Sequence, residues 1–538
     1  MFASRNFSLP LLFSVLAALA LPAPAIVYVS LNGDNSTGES WTTAFYSIEE
    51  ALEVVAAGES IYVAEGVYVL GGSFELTSDL VIAGGFSGEE KGAPGQSDPD
   101  KFPTVLDGSG AAGSAFVCSD VTDVRIQGLT FKRFVGAGSG YARSGAIRVD
   151  TGADVEIHDC LFTNNHINGY GGGINIIGAS AKIEDCVFKN NSAQEGGGVK
   201  VHQGRADLDD CVFEGNKANL IGGAYSGYYS ETYAGNCRFI GNEGPYGGGV
   251  ECHEGSAAYF VNCLFARNSA STQGGGLSFV FQANIQIVHC TIANNTTDGI
   301  GGGIFLHDSS QVGITSCIFS KNNSHAIFEN SPDVDPDVYN CLFDGNPDGV
   351  YFNEGSQSIA TASGPNGMNS VLSSAADDNL DGDPKFANPK LNDFHLTPGS
   401  PAIDNGYDFD GEFDDIDRDA RPIEIAKAIL GYDIGFDEYN PDAPINLIKP
   451  REGAKWKRGN AYTIEWESEG YTGSTMRLEL LRNGVVVRVI AAKTPNTGSF
   501  EWTVPDNIAG KKGFTVRIKN VDDSTFKDES SEFRIVKP

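Results

Sequence analysis

Five side chains near the middle of this sequence have the types needed for general acid–base chemistry: Lys200, His202, Tyr228, Glu251 and His253. A lysine can neutralise a carboxylate beside a C–H bond, and a histidine, tyrosine or glutamate can take up or return the proton. Their spacing makes them a set. Each follows a glycine cluster: Gly196-Gly197-Gly198, Gly222-Gly223 or Gly247-Gly248-Gly249. Aligning the strand-like runs after such clusters gives one outward column of Arg148, Asn175, Lys200, Ser226, Glu251, Ser278 and Phe305. Its neighbour reads Asp150, Ile177, His202, Tyr228, His253, Val280 and His307. In parallel strands about 4.8 Å apart, the five candidates would share a patch roughly 10 Å long. The plainer reading is a solvated strand face that collects polar residues. His202 and His253 are two strands apart, so one metal ion could not take both directly.

The element that must position them is a repeat. Cys160, Cys186, Cys211, Cys237, Cys263, Cys290, Cys317 and Cys341 recur every 24 to 27 residues. Seven of them open the phrase C-x-F-x-x-N, as in Cys160/Phe162/Asn165, and one copy carries Ile292 in the aromatic slot. Val155 and Ile157 are in phase at period two, as are Cys160 and Phe162, but the two pairs are offset by three residues. The chain must turn a corner at His158-Asp159. A second corner is expected at Asn165, where asparagine tolerates left-handed backbone. A third is expected at Gly171-Gly172-Gly173, before Ile174 and Ile176 face inward. Three strands and three corners make one rung of a parallel β-helix, and parallel crossovers are overwhelmingly right-handed. The cysteines then form an interior column, too widely spaced for disulfides and expected to be mostly reduced. The asparagines are expected to bond backbone along the stack.

The chain has 538 residues, 67 of them glycine, and a formal charge of −33. That balance argues against a nucleic-acid partner, because no broad basic face is available for phosphates. Arg5, the apolar run Leu9 to Leu21 and Ala23-Pro24-Ala25 read as a signal peptide over residues 1–25. No later segment is long or apolar enough to span a membrane. Secretion to the cell surface or beyond is the expectation. Residues 26–120 read as an N-terminal cap and first coils, with a short helix over Trp41 to Ala57, Ser47 its N-cap and Glu50 completing a capping box. Residues 121–350 hold the repeats, in which Ile126, Leu129 and Phe131 are a degenerate first copy. Residues 351–441 read as final coils and cap. Residues 442–538 lose the cysteines and show alternating strands with an Asn483-Gly484 turn, which suggests an immunoglobulin- or fibronectin-like β-sandwich.

Two acidic stretches raise the question of calcium. Asp377-x-Asn379-x-Asp381-Gly382 matches the first half of a calcium loop, although Asn388 stands at the twelfth position and no helices flank it. Asp408, Asp410, Asp414, Asp415 and Asp417 form a second cluster. No cofactor is otherwise required. A basic run in this acidic chain, Lys449, Arg451, Lys455, Lys457 and Arg458, could touch an anionic polysaccharide. Trp41 and Tyr229 are candidates for stacking on sugars.

Several stretches resemble known families. Gly38, Ser40, Trp41, Thr43, Ala44, Phe45, Ile61-Tyr62-Val63-Ala64, Gly66 and Tyr68 resemble the opening of many bacterial right-handed β-helix proteins. The F-x-x-N and G-G phrases over about residues 129–346 resemble those of the chlamydial polymorphic outer-membrane proteins, a family of adhesins. That family's membrane barrel has no counterpart after residue 350. Asp383-Pro384-x-Phe386, Asp393-Phe394-His395-Leu396, Ser400 to Gly406 and Asp433-Ile434-Gly435 resemble a region that closes many bacterial β-helix proteins. Pro450, Gly453, Trp456, Gly459, Ile464-x-Trp466, Gly498-x-Phe500-x-Trp502 and Phe533-x-Ile535 resemble the small β-sandwich of yeast cell-wall-synthesis and Ser/Thr-rich GPI-anchored proteins, which implies an envelope setting. β-Helix polysaccharide lyases and hydrolases use a face like that of Lys200 to His253. The expectation is a secreted or cell-surface β-helix protein that binds polysaccharide or mediates adhesion. The alternative is a lyase or glycoside hydrolase acting on an acidic polysaccharide at that face. The sequence names no oligomeric state.

Overall fold

The repeat closes into a parallel β-solenoid. The computed structural model describes residues 26–537, apart from 90–96, 110–112, 136–143, 309, 332–333, 335, 354–356, 373–375, 398, 408–413, 417–420, 422–423, 426–427, 430, 440–444, 452, 469–474, 483, 509–510 and 522–526. The signal-peptide reading falls on residues outside this set. Three long sheets run along the axis. Face one has 13 strands, from Ile26–Val29 to Ala376–Asp377. Face two has 12, from Gly66–Val69 to Leu380–Asp381, and face three has 12, from Phe74–Glu75 to Gln357–Ile359. The first described helix is short, Ile48–Val54, with Ser47 and Glu50 forming the expected capping box. Trp41 lies outside it.

The slots read from the sequence stack in register. Phe131, Phe162 and Phe188 pair directly, and Ile126 lies opposite Ile157. The rings of Phe131, Phe162, Phe188, Phe213, Phe239 and Phe265 stack at 4.6–4.9 Å between centroids. Asn165 through Asn346 form a continuous amide ladder. Asn216, for example, donates through Nδ2 to Asn242 Oδ1 at 3.0 Å and to the Phe188 carbonyl at 2.8 Å. The left-handed residue at that corner is not the ladder asparagine but the one before it: Asn164, Asn190, Gly215, Gly241, Arg267, Asn294, Lys321 or Gly345. The turn and the ladder therefore divide between two adjacent positions.

All ten cysteines are buried and free. Their thiols bond the chain; Cys263 Sγ donates to the Ala234 carbonyl of the preceding rung at 3.3 Å. Burial pushes the thiols of Cys186, Cys211, Cys237, Cys263, Cys290 and Cys317 well up. A thiol held protonated and out of solvent is inert. A thiol reagent is expected to label essentially none of the ten in the native protein and all of them in denaturant. Rapid native labelling, or disulfides found by mass spectrometry, would overturn this packing.

Two features depart from the sequence reading. A fourth, five-stranded strip runs from Ser192–Glu195 to Thr296–Thr297, between the asparagine corner and the glycine cluster. The segment after residue 381 also does not simply cap the end. Phe394, Ile416 and Phe436 pack on Leu264, Ala266 and Ala293 of face two, while Leu396, Ala402 and Ile434 pack on Ile318 and Leu342. It is a strap folded back along the solenoid, pinned by Gly435 donating to the Ser316 carbonyl at 2.8 Å. Met368, in a one-turn helix Met368–Val371, joins Ile359 and Ala362 on the end of the apolar core.

The C-terminal strands form two sheets. One pairs Ile445–Lys449, Ala461–Ser468 and Ser499–Thr503; the other holds six strands including Thr475–Arg482, Val485–Pro495 and Lys511–Asn520. Trp456, Ile464, Trp466, Trp502, Phe514 and Phe533 share its core.

Candidate functional site

The two columns of face three stack as aligned. Asn175, Lys200, Ser226, Glu251, Ser278 and Phe305 are direct neighbours, as are Ile177, His202, Tyr228, His253 and Val280. The structure thus brings all five candidates together, but it corrects their exposure. Lys200 is 1% exposed and Glu251 4%. The cause is the tight glycine turn before each strand. A Cβ on Gly222, Gly247 or Gly274 would lie 2.8–2.9 Å from the Cβ of Ser226, Glu251 or Ser278. These glycines adopt φ of +63 to +66°, which glycine reaches without penalty. The chain can therefore fold back over the polar column and enclose it.

Within this enclosure the groups serve one another. Lys200 Nζ lies 2.8 Å from Glu195 Oε2 on the fourth strip and donates to Ser226 Oγ at 3.0 Å. It sits 5.8 Å from the centre of the Tyr228 ring. One ammonium thus faces two carboxylates. Glu195 is in contact with it and partly exposed. Burial pushes the Glu251 carboxyl up to about 8, against the pull of Lys200 and with a push from Glu195. His253, whose Nε2 lies 3.6 Å from Glu251 Oε2, is held down to about 3 by burial, then by Lys200 and His202. Burial and Lys200 also lower His202. The surface above Lys200 is a set of packed rings. His202 and Tyr228 stack at 4.9 Å and 3°, and His253 meets Tyr228 at 4.8 Å and 65°.

The adjoining corner extends this ring surface. Tyr229 is 50% exposed at φ +47°, and its ring meets Tyr228 edge-on at 4.7 Å. Phe281, two rungs on, is 44% exposed at φ +57°. Bulky side chains are rare in left-handed backbone, which costs about 1–2 kcal/mol per residue. Other rungs place Gly178, Gln203 or Glu254 there. Beside Tyr229 lies a cleft of about 500 Å³ lined by Gly152, Gly178, Ser180, Gln203, Arg205 and Glu231. The small residues of earlier rungs form its floor, and the tyrosine forms a wall. Sequence reasoning singled out Tyr229 but missed Phe281 and Glu195. Phe281 carried a signal, since it follows the outer column by one residue, as Tyr229 does.

Other expectations are corrected. Trp41 is 7% exposed and packs edge-on against Tyr28 at 4.7 Å. The Asp377–Gly382 stretch is the last copy of the repeat: Tyr339 pairs with Asp377 and Phe343 with Asp381, so Asn379 fills the cysteine slot. Its Oδ1 accepts from the Cys341 N–H at 2.9 Å, where Cys341 Sγ accepts from Cys317 N–H one rung earlier. Asp381 accepts from the N–H groups of Ala362 and Ser363 at 2.8 and 2.9 Å. Of the tentative calcium set Asp377, Asn379 and Asp381, the Asn379 and Asp381 oxygens thus bond the chain's own N–H groups. Of the second cluster, Asp408, Asp410 and Asp417 lie outside the described residues, while buried Asp415 accepts from the Glu438 N–H at 2.9 Å. Among the described residues, no group of three or more His, Cys, Asp or Glu could hold a metal ion. No helix among them is long and apolar enough to cross a membrane.

Comparison with known proteins agrees with this architecture. Residues 145–301 and 236–373 match the family model of the right handed beta helix region. Residues 449–535 match the Kre9/KNH-like N-terminal Ig-like domain. No curated protein matches the chain. A solved rhamnogalacturonan lyase is similar at 14% identity and a TM-score of 0.35, over 62% of this chain and 87% of that one.

Proposed function

We propose that this chain, a right-handed parallel β-helix with a C-terminal Kre9/KNH-like Ig-like domain, is an extracellular or cell-surface protein that binds polysaccharide along the ring-lined corner of its solenoid. One observation carries the reading: Tyr229 and Phe281 stand exposed in left-handed backbone, two rungs apart, beside the His202–Tyr228–His253 stack. Aromatic faces take up the apolar face of a sugar ring, and the Arg205, Gln203 and Glu231 groups of the adjoining cleft suit its hydroxyls. The two exposed rings lie roughly 10 Å apart along the axis, so an extended glycan can touch both. The lyase alternative asks Lys200 to meet a substrate carboxylate, but Lys200 is enclosed and paired with Glu195.

The test is affinity electrophoresis through gels containing neutral or uronate polysaccharides, with absorbance near ~230 nm followed in parallel for unsaturated products. At least one polymer is expected to retard the protein without product release. Tyr229→Ala with Phe281→Ala should weaken retention about thirtyfold, the scale of losing an aromatic anchor. Unchanged retention in the double variant, no retention of the parent, or product release would overturn the proposal.

A further inference from the structure

The C-terminal sandwich carries the opposite charge balance to the rest of the chain. Residues 442–538 hold 16 Lys and Arg against 13 Asp and Glu, whereas the full sequence holds 37 against 70. Five of the 16 fall between Lys449 and Arg458. Two of these are committed: Lys449 Nζ pairs with Glu465 Oε1 at 2.6 Å, and Arg458 donates to the Asp506 and Ile508 carbonyls at 3.0 and 3.4 Å. Arg451, Lys455 and Lys457 are exposed and have no carboxylate partner within ion-pair distance among the described residues.

This basic segment borders a cleft of about 430 Å³ lined by Lys449, Pro450, Arg451, Trp456, Tyr462 and Thr463. Its aromatic wall is built rigidly. Tyr462 lies flat on Trp456, with centroids 4.9 Å apart and planes 6° apart. Trp456 is buried and packs in turn on Phe533 at 4.7 Å. The Tyr462 hydroxyl oxygen accepts the Lys457 N–H at 2.8 Å, which fixes the ring from its polar end. A locked aromatic platform beside the exposed Arg451 guanidinium is preorganised for a ligand that has both a flat apolar face and a negative charge.

We propose that this cleft is a second binding site, separate from the solenoid corner, for an anionic saccharide: a ring stacked on Tyr462 with its carboxylate or sulfate held by Arg451. Nucleic acid offers a similar pairing of flat base and anion. Its charge density, one per about 1.7 Å of duplex, is far higher than one charge per sugar ring, and a chain of net charge −33 repels it more strongly.

Titration calorimetry on the full chain tests the assignment. The chain should carry Tyr229→Ala and Phe281→Ala, so that failure of the solenoid proposal leaves this result unaffected. The probes are a galacturonate hexamer, its methyl ester, a sulfated oligosaccharide and a single-stranded DNA of similar length. The galacturonate should bind at least tenfold more tightly than its ester, and binding should weaken with salt. Arg451→Gln, a change at an exposed side chain, should weaken galacturonate binding about tenfold, as expected for one charged hydrogen bond, with the melting temperature unchanged. The sulfated probe decides which anionic group is favoured; tighter binding than galacturonate makes the ligand a sulfated saccharide within the same proposal. No galacturonate or sulfate binding, equal binding of the ester, indifference to Arg451→Gln, or tighter binding of DNA would each overturn it.

Discussion

Asn242→Ala is expected to lower the stability of the solenoid by about 3–5 kcal/mol, measured by chemical denaturation. The side chain is fully buried and joins three rungs. Its Oδ1 accepts from Asn216 N and Asn216 Nδ2 at 2.9 and 3.0 Å, and its Nδ2 donates to the Phe213 carbonyl and to Asn268 Oδ1, both at 2.9 Å. Alanine leaves the Asn216 N–H and one of its amide hydrogens without acceptors in a site closed to water. Each such orphan costs about 1–3 kcal/mol. Asparagine is required by geometry as well as polarity, because one oxygen must accept from one neighbouring rung while one nitrogen donates to both. Aspartate at the same position would bury a charge and lose both donors. A loss below about 1 kcal/mol would mean that the ladder relaxes or admits water, contrary to a load shared rung by rung.

The interior of this protein was legible because its signals repeat. Cysteine, phenylalanine and asparagine each hold one slot, and each slot has one neighbour above and one below. The register of Lys200, Ser226 and Glu251 followed from the glycine clusters for the same reason. The fourth strip was not legible. Its strands, such as Ser192–Glu195 and Lys217–Ile221, are short and polar, and their pairing contains register shifts, so no period-two apolar pattern marks them. Missing it made a buried column look solvated. The Asp377–Gly382 stretch failed in another way. Asn379 stands in the next cysteine slot by strand register, but it lies 38 residues after Cys341, beyond the 24 to 27 of the earlier copies, so the period did not mark it and the local calcium motif stood out. Trp41 shows the limit of residue type, since nothing in its neighbourhood marks it as packed before Tyr28 and Phe86 are brought beside it.

The enclosed column makes the second large prediction, and its sign depends on pH. Glu195→Ala removes the carboxylate in contact with Lys200, leaving an ammonium that is 1% exposed beside Ser226 Oγ, the Tyr228 ring and the Glu251 carboxyl. Removing one partner typically costs about 3–5 kcal/mol when the charge left behind is buried, as Lys200 is; Lys200→Met instead leaves the Glu195 carboxylate, which is 21% exposed and reachable by water, and costs less. In the parent protein the Glu251 carboxyl is raised from its ordinary value to about 8. Its protonated form therefore contributes stability that is fully present below about pH 4.5 and is lost as pH rises through about 8. Glu195 helps to hold that proton on, so its removal lets Glu251 ionise earlier and become the counter-ion of Lys200. The deficit of Glu195→Ala relative to the parent should then shrink between about pH 5 and pH 8. Glu251→Gln added to it should abolish the recovery and hold the deficit constant. Melting temperatures across this range decide the matter. A deficit independent of pH in the single variant, or Lys200→Met as damaging as Glu195→Ala, would show that the two carboxylates do not share one ammonium. The same series bears on function. A column whose charges exist to satisfy one another tolerates Lys200→Met with polysaccharide retention intact, and such retention places the binding surface in the rings above the column, not in the ammonium beneath them.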